Sequence, residues 1–130
     1  MDFSADEVIA HLSLSPHPEG GHFRPMARDP GLAACASAAE TVYRLLTAED
    51  ADDWRPVETT EIWAFYMGAQ LELEIATDQG LRPLVLGPDQ PQIAAPAGAW
   101  RRMRSLGDWT LASCSTAPGL AADAVETPSV

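Results

Sequence analysis

Residues 54–68, WRPVETTEIWAFYMG, combine an apolar and aromatic strand pattern with charged side chains that could converge inside a fold. Arg55 lies in the first half of this stretch, before a Glu-Thr-Thr turn. Because side chains alternate along a strand, Glu61, Trp63 and Phe65 share one face after that turn. If this face points inward, it places a carboxylate and a guanidinium among aromatic rings. Such a pair could bind or polarise a small polar molecule, or could form an inert buried ion pair.

A second concentration of polar groups lies in residues 16–28, PHPEGGHFRPMAR. Two prolines restrict the backbone around His17, and Glu19, His22 and Arg24 follow within a few residues. The stretch predicts either a tight surface turn leading into a strand, or a loop that presents His17, Glu19 or Arg24 to a pocket. A histidine titrates near neutral pH, so His17 could act as an acid–base group. It could equally donate a hydrogen bond that stabilises the turn.

The elements that must position these residues are short. Ser4 and Glu7 form the pattern of a capping box, which predicts an N-terminal helix that ends before Pro16. Leu71, Leu73 and Ile75 alternate with polar residues, which predicts a strand with one face toward a core. The other predicted strands are residues 21–27, 41–46, 81–86, 92–95, 100–104 and 109–116, in addition to those within 54–68. This pattern predicts an all-β fold, either a sandwich, a jelly roll or a barrel, with one short N-terminal helix.

Composition limits the function classes. The chain has 130 residues, a length that suits one domain, and its 11 Pro and 9 Gly favour short strands joined by turns. Its formal net charge of −11 argues against a nucleic-acid partner, because phosphate binding requires clustered basic residues. No apolar run approaches the roughly 20 residues of a membrane-spanning helix. We therefore expect neither nucleic acid nor membrane as a partner.

The two cysteines indicate a reducing environment. Cys35 and Cys114 are far apart in sequence and have no CxxC spacing. The N-terminus also lacks the apolar segment of a secretion signal. We expect free thiols in a cytoplasmic protein, and we expect Cys114, on the last predicted strand, to be a small buried side chain.

With the strands placed, PHPEGGHFR, TVYRLL, EIW and P-A-G-x-W resemble motifs of the Cupin_5 (DUF985) branch of the cupin superfamily. The resemblance runs from about residue 14 to residue 119. It implies a double-stranded β-helix, the jelly-roll barrel of cupins, with a ligand pocket inside the barrel and a homodimeric assembly. We expect a single cupin domain over residues 1–130, with a tail at 120–130 that frays. The resemblance also implies kinship with metal-free sugar epimerases.

Metal-binding cupins have a first motif that resembles H-x-H-(x)3-4-E-(x)6-G and a second that resembles P-x-G-x-x-H. When Glu61 and Gly68 are aligned with the first motif, Arg55 and Val57 stand at its two histidine positions. In the second motif, Arg101 stands where the histidine would be. A carboxylate beside guanidinium groups cannot form the usual 2-His-1-carboxylate site. We therefore expect no metal and no cofactor.

Other departures from the family pattern concern the pocket more than the scaffold. Members of this branch commonly have WHR where this chain has Trp54-Arg55-Pro56, and they often have histidine where Ala64 stands. The connection at residues 87–91 is short, and the tail lacks the aromatic residues of the family. The resemblance therefore predicts the scaffold more firmly than the pocket chemistry.

Two functions fit these residues. The first is a metal-independent isomerase, epimerase or lyase that acts by acid–base chemistry on a small molecule. The second is a non-catalytic cupin that senses or carries a small polar or anionic molecule. The predicted catalytic residues are Glu61, His17, Tyr66 and Tyr43, where the tyrosines could donate a proton or be merely packed rings. The predicted substrate-binding residues are Arg55, Glu19, Arg24, Trp63, Phe65, Trp100 and Arg101, where Trp63 and Trp100 fit core and pocket wall equally well.

Overall fold

A computed structural model describes residues 3–18, 20–25, 40–50 and 52–116. Glu19 and Cys35 lie outside the described residues, and so does the predicted tail at 120–130. The predicted roles of these residues therefore stay predictions.

The N-terminal helix α1 spans Ala5–Leu12. The hydroxyl of Ser4 accepts a hydrogen bond from the Glu7 backbone N–H at 3.1 Å, and the Glu7 carboxylate accepts one from the Ser4 N–H at 2.8 Å. This confirms the predicted capping box, which satisfies two donors that the first helical turn leaves free. Ser13 ends the helix in the left-handed conformation, with φ of 57°. The described residues contain no helix that could cross a membrane.

Within the residues that the structure describes, ten strands form two antiparallel sheets. They are β1 (Ser15–Pro16), β2 (His22–Pro25), β3 (Glu40–Thr47), β4 (Asp52–Pro56), β5 (Glu61–Gly68), β6 (Leu71–Thr77), β7 (Gly80–Leu86), β8 (Gln92–Ala95), β9 (Trp100–Ser105) and β10 (Trp109–Thr116). The strand order is β1-β2-β3-β10-β5-β8 in one sheet and β4-β9-β6-β7 in the other. Strands distant in sequence are therefore neighbours, and the predicted all-β jelly roll with one short helix is confirmed.

The main core lies between the two sheets. Trp63, Leu71, Leu73 and Leu86 are fully buried there, and Met103 is almost fully buried. The prediction that one face of β6 points to a core is confirmed by its strictly alternating burial. A smaller apolar cluster lies on the outer face of the six-stranded sheet, beneath α1. It consists of Val8, Leu14, Leu45, Trp109 and Leu111.

A β-bulge interrupts the pairing of β5 with β10. Phe65 pairs with Ala112 and Met67 pairs with Leu111, so Tyr66 is the extra residue. Bulges re-aim side chains, because they break the strict alternation of a strand. Phe65 packs against the main core, whereas Met67 packs against the cluster beneath α1. Two consecutive residues, Tyr66 and Met67, thus lie on the outer face of the sheet.

Candidate functional site

Charged side chains from both sheets converge on the inner side of the barrel. Glu61 comes from β5, Arg44 from β3 and Arg101 from β9. Arg55 of β4 pairs directly with Arg101, so its side chain points to the same face. Arg44 and Arg101 are buried, with 4% and 6% of their surface exposed. Because burying a charge is expensive unless it is paired, this concentration is unusual for a core.

An ion pair between Glu61 and Arg101 joins the two sheets. Nε of Arg101 donates to Oε1 of Glu61 at 2.8 Å, and an Nη atom lies 3.5 Å from Oε2. The indole N–H of Trp63 donates to the same Oε1 at 2.9 Å. The carboxylate is therefore held by two donors that come from different sheets. Glu61 fixes the position of the Arg101 guanidinium.

Two guanidinium groups lie close to the Trp63 ring. The Cζ of Arg101 lies 5.4 Å from the indole centroid, and the Cζ of Arg44 lies 5.6 Å from it. Both distances fall in the range of a cation–π interaction, which gains strength when the partners are desolvated. Trp63 is thus both part of the core and a partner of both cations.

Arg44 is the site residue that the sequence prediction missed. It alternates with Val42 and Leu46 along β3, and both of these pack in the main core. The alternation therefore places Arg44 inside once that face is known to be the inner one. A basic residue between two apolar core positions was the sequence signal from which Arg44 could have been predicted.

Cys114 lies beside this cluster and opposite Trp63 in the pairing of β10 with β5. As predicted, it is a buried free thiol. Burial and, to a smaller extent, the Glu61 carboxylate raise the pKa of Cys114 from 9.0 to about 12, against the opposing effect of Arg101 and Arg44. The thiol therefore stays protonated and is a poor nucleophile at neutral pH.

This pKa predicts a loss of stability at alkaline pH. The folded protein disfavours the thiolate, so the contribution of Cys114 is complete below pH 9 and is lost as the pH rises through about 12. The free energy of unfolding should fall more steeply over this interval with Cys114 than with Cys114→Ala. Urea unfolding at several pH values, with both proteins in a Cys35→Ser background, measures the difference. Parallel pH profiles would contradict the buried position of Cys114.

His17 and Phe65 lie on the barrel side of the six-stranded sheet. The His17 ring packs edge-on against Phe23, with the centroids 4.7 Å apart. Phe23 pairs with Arg44, so it belongs to the inner row of the sheet. His17 also donates its backbone N–H to the carbonyl of Gly21 at 2.9 Å, and this bond stabilises the turn. The structure thus brings His17 to the end of the row that contains Arg44.

Four other predicted site residues lie elsewhere. Tyr43 and Tyr66 contact each other on the outer face of the six-stranded sheet, with ring centroids 5.9 Å apart. Arg24 pairs with Tyr43 and lies on the same outer face. Trp100 pairs with Ala76 on the outer face of the other sheet and is 50% exposed. The structure does not bring these four side chains together with Glu61.

The barrel residues do not fit the metal site of metal-binding cupins. The Arg101 guanidinium stands within hydrogen-bonding distance of Glu61, where the superfamily pattern has a histidine ligand. Arg55 and Val57 occupy two other ligand positions. Within the described ranges, no three His, Cys, Asp or Glu side chains are grouped so that they could hold a metal ion. We derive no metal chemistry from these residues.

The fold and the inward-facing cluster define a cupin. Residues 6–127 match the Cupin_5 family, described as cupin superfamily (DUF985), and the chain belongs to this family. Its structure is similar to that of a protein from Shewanella oneidensis, with 26% identity, 89% of this chain and 78% of that chain covered, and a TM-score of 0.75. It is also similar to a hypothetical protein from Leishmania major, with 22% identity, 89% and 82% covered, and a TM-score of 0.76.

A cupin-2 domain protein from Rhodospirillum rubrum shares the fold at greater distance. It is 11% identical, the match covers 80% of this chain and 68% of that chain, and the TM-score is 0.62. No curated protein matches the chain significantly in sequence. The comparisons thus establish the family and the fold.

Proposed function

We propose that this cupin binds a small anionic molecule at the inner cluster of Arg44, Arg55, Glu61 and Arg101. The observation that carries the proposal is that Arg101 and Arg44 are both buried and both lie close to the Trp63 ring, with Glu61 holding Arg101 in place. Guanidinium groups are suited to carboxylates and phosphates, because they offer several donors in a planar fork.

The charge distribution supports this proposal. The chain carries a net charge of −11 and only eight basic residues, yet Arg44, Arg55 and Arg101 all point to the inner faces of the barrel. An anion approaching the barrel therefore meets an excess of positive charge inside an acidic protein. Phe65 is only partly buried on the same inner face, so it adds an apolar surface against which the body of a small ligand could pack.

The placement of the tyrosines favours binding over catalysis. An epimerase of the cupin type would need an acid and a base on the two sides of its substrate. Tyr43 and Tyr66 lie on the outer face of the sheet, on the side opposite Glu61. His17 is the predicted acid–base residue that lies on the same side as Glu61. We therefore propose a sensor or carrier, and we retain the homodimer implied by the family as part of this proposal.

A thermal-shift titration tests the binding proposal. Glucuronate and glucose 6-phosphate are the anionic probes, and glucose is the neutral control. We expect the anions to raise the melting temperature by several degrees, since a ligand at 100 times its Kd stabilises the folded state by about 2.7 kcal/mol. Glucose should give no shift. Equal shifts with glucose and with the anions would overturn the proposed selectivity, and no shift with any probe would overturn binding of this class.

Matched arginine variants locate the site. Arg101→Gln and Arg55→Gln should abolish most of the shift, whereas Arg104→Gln should retain it. Arg104 lies on the outer face of the same strand as Arg101, and its side chain is 62% exposed. If the ligand shift survives in Arg101→Gln, the barrel is not the binding site.

Acid–base turnover is the second candidate, and the position of Glu61 beside Trp63 favours it. If Glu61 removes a proton from a bound substrate, incubation in deuterated water should incorporate deuterium into the ligand. Glu61→Gln should abolish this exchange while the ligand still binds. If a ligand binds but incorporates no deuterium, the acid–base proposal is wrong and only the binding function remains.

A further inference from the structure

A groove of about 530 Å³ lies between α1 and the outer face of the six-stranded sheet. Its walls include Val8 and Leu12 of the helix, Met67 of β5 and Leu111 of β10. The volume and the largely apolar lining are typical of sites for small molecules. The groove lies on the opposite face of the sheet from Glu61, so it is separate from the barrel site.

The β-bulge shapes this groove. Without it, Met67 would point into the barrel, because Phe65 does. With the bulge, Tyr66 and Met67 both line the groove, together with Tyr43 of β3. Bulges occur often where a strand must re-aim a side chain next to a functional site. Tyr66 is 45% exposed, so a large aromatic surface remains available at the groove.

Arg24 places a cation beside Tyr43, one of the residues that line the groove. The Cζ of Arg24 is 5.1 Å from the Tyr43 ring centroid, and the Tyr43 ring contacts Tyr66 edge-on. Nε of Arg24 is buried and has no hydrogen-bond partner among the described residues. An unsatisfied buried donor destabilises the folded protein, and a ligand oxygen that accepts from this guanidinium would satisfy it.

The groove also holds an acidic residue. Glu7 lines it, but its carboxylate accepts the hydrogen bond from the Ser4 backbone N–H and so serves the helix cap. The Glu7 carboxylate would repel a ligand that carries negative charge along its whole length. The favoured ligand has an apolar body and a single anionic head directed toward Arg24.

We propose that this groove is a second binding site, specific for a small carboxylic acid with an aromatic or aliphatic body. The body packs between the helix and the Tyr66–Met67 bulge, and the carboxylate pairs with Arg24. The proposal does not depend on the function proposed for the barrel.

Calorimetric titration of the full chain with 3-phenylpropionate tests the proposal, with 3-phenylpropionamide as the uncharged probe. We expect saturable binding of the acid and at least tenfold weaker binding of the amide. Arg24→Gln should weaken the binding of the acid at least tenfold and leave the affinity for the amide unchanged. Tyr66→Ala should weaken the binding of both compounds. Arg82→Gln removes an equal charge at an exposed position and should change neither affinity.

A second measurement does not depend on variants that could misfold. In wild-type protein, titration with 3-phenylpropionate should shift the methyl NMR signals of Met67 and Leu111, and both signals should follow one saturation curve. A saturating concentration of glucuronate, the probe for the barrel, should leave this curve unchanged. Loss of 3-phenylpropionate binding in the presence of glucuronate, equal affinity for the acid and the amide, or unshifted Met67 and Leu111 signals would each overturn the proposal.

Discussion

Replacing Arg101 by methionine is expected to lower the free energy of unfolding by about 3–5 kcal/mol, the typical cost of breaking one side of a buried ion pair. The Glu61 and Arg101 side chains are only 13% and 7% exposed. Without the guanidinium, the Glu61 carboxylate stays buried beside Trp63 and loses the cation that compensates its charge. Urea unfolding followed by circular dichroism measures the loss.

A second ion pair on the same strand is the control. Arg104 pairs with Glu72 at 2.8 Å on the outer face, where water screens both groups. Arg104→Met should therefore cost no more than about 1 kcal/mol. The double variant Glu61→Gln with Arg101→Met should recover part of the loss, since it leaves no buried carboxylate without its cation. Equal losses for the Arg101 and Arg104 variants would contradict the burial of the inner pair.

Replacing Trp63 by alanine is the second change with a large expected effect. Trp63 is fully buried, and its removal should lower the free energy of unfolding by about 3–5 kcal/mol, since a cavity replaces a large ring. The change also removes the indole donor to Glu61 and the ring that lies close to both Arg44 and Arg101. We therefore expect a result at the upper end of that range, measured by circular dichroism in urea.

Trp100 supplies the matched control, because the sequence analysis named both tryptophans as substrate-binding candidates that fit core and pocket wall equally well. It is 50% exposed on the outer face of the four-stranded sheet. Trp100→Ala should change the free energy of unfolding by about 0.5 kcal/mol or less, and it should not alter the binding of glucuronate in the barrel. A loss comparable to that of Trp63→Ala would show that Trp100 is covered in the native protein.

The sequence predicted the elements well because the alternation of side chains is a local property. The capping box of α1 and the core-facing residues of β6 were both readable from spacing alone. The shared inner face of Glu61, Trp63 and Phe65 was readable in the same way. Family motifs then selected the jelly roll among the possible all-β folds.

Alternation shows which residues share a face, but it does not show which face is the inner one. Tyr43 and Arg44 are neighbours on β3, and the prediction placed the tyrosine in the site while the structure places the arginine there. The same ambiguity applies to Trp100 and Arg101 on β9. Deciding the face requires the packing of the second sheet, which no single strand contains.

The contact between Glu61 and Arg101 joins residues 40 positions apart, which is beyond local reasoning. The sequence suggested Arg55 as a partner of the carboxylate, and Arg101 entered only through the second cupin motif. The structure shows Arg101 donating to Glu61 from β9 across the barrel. Arg55 lies directly opposite Arg101 in the pairing of β4 with β9. Contacts between sheets depend on the strand order of the jelly roll, which becomes known only when the fold is assembled.

The position of β10 has a consequence for how the protein is made. This strand pairs with β3 on one side and β5 on the other, yet it follows both in the chain. Until the ribosome has released residues 109–116, both partners expose unpaired backbone edges, which are sites of intermolecular association. We expect the six-stranded sheet to be completed only after β10 has emerged, and nascent chains stopped before Trp109 to depend on chaperones for solubility.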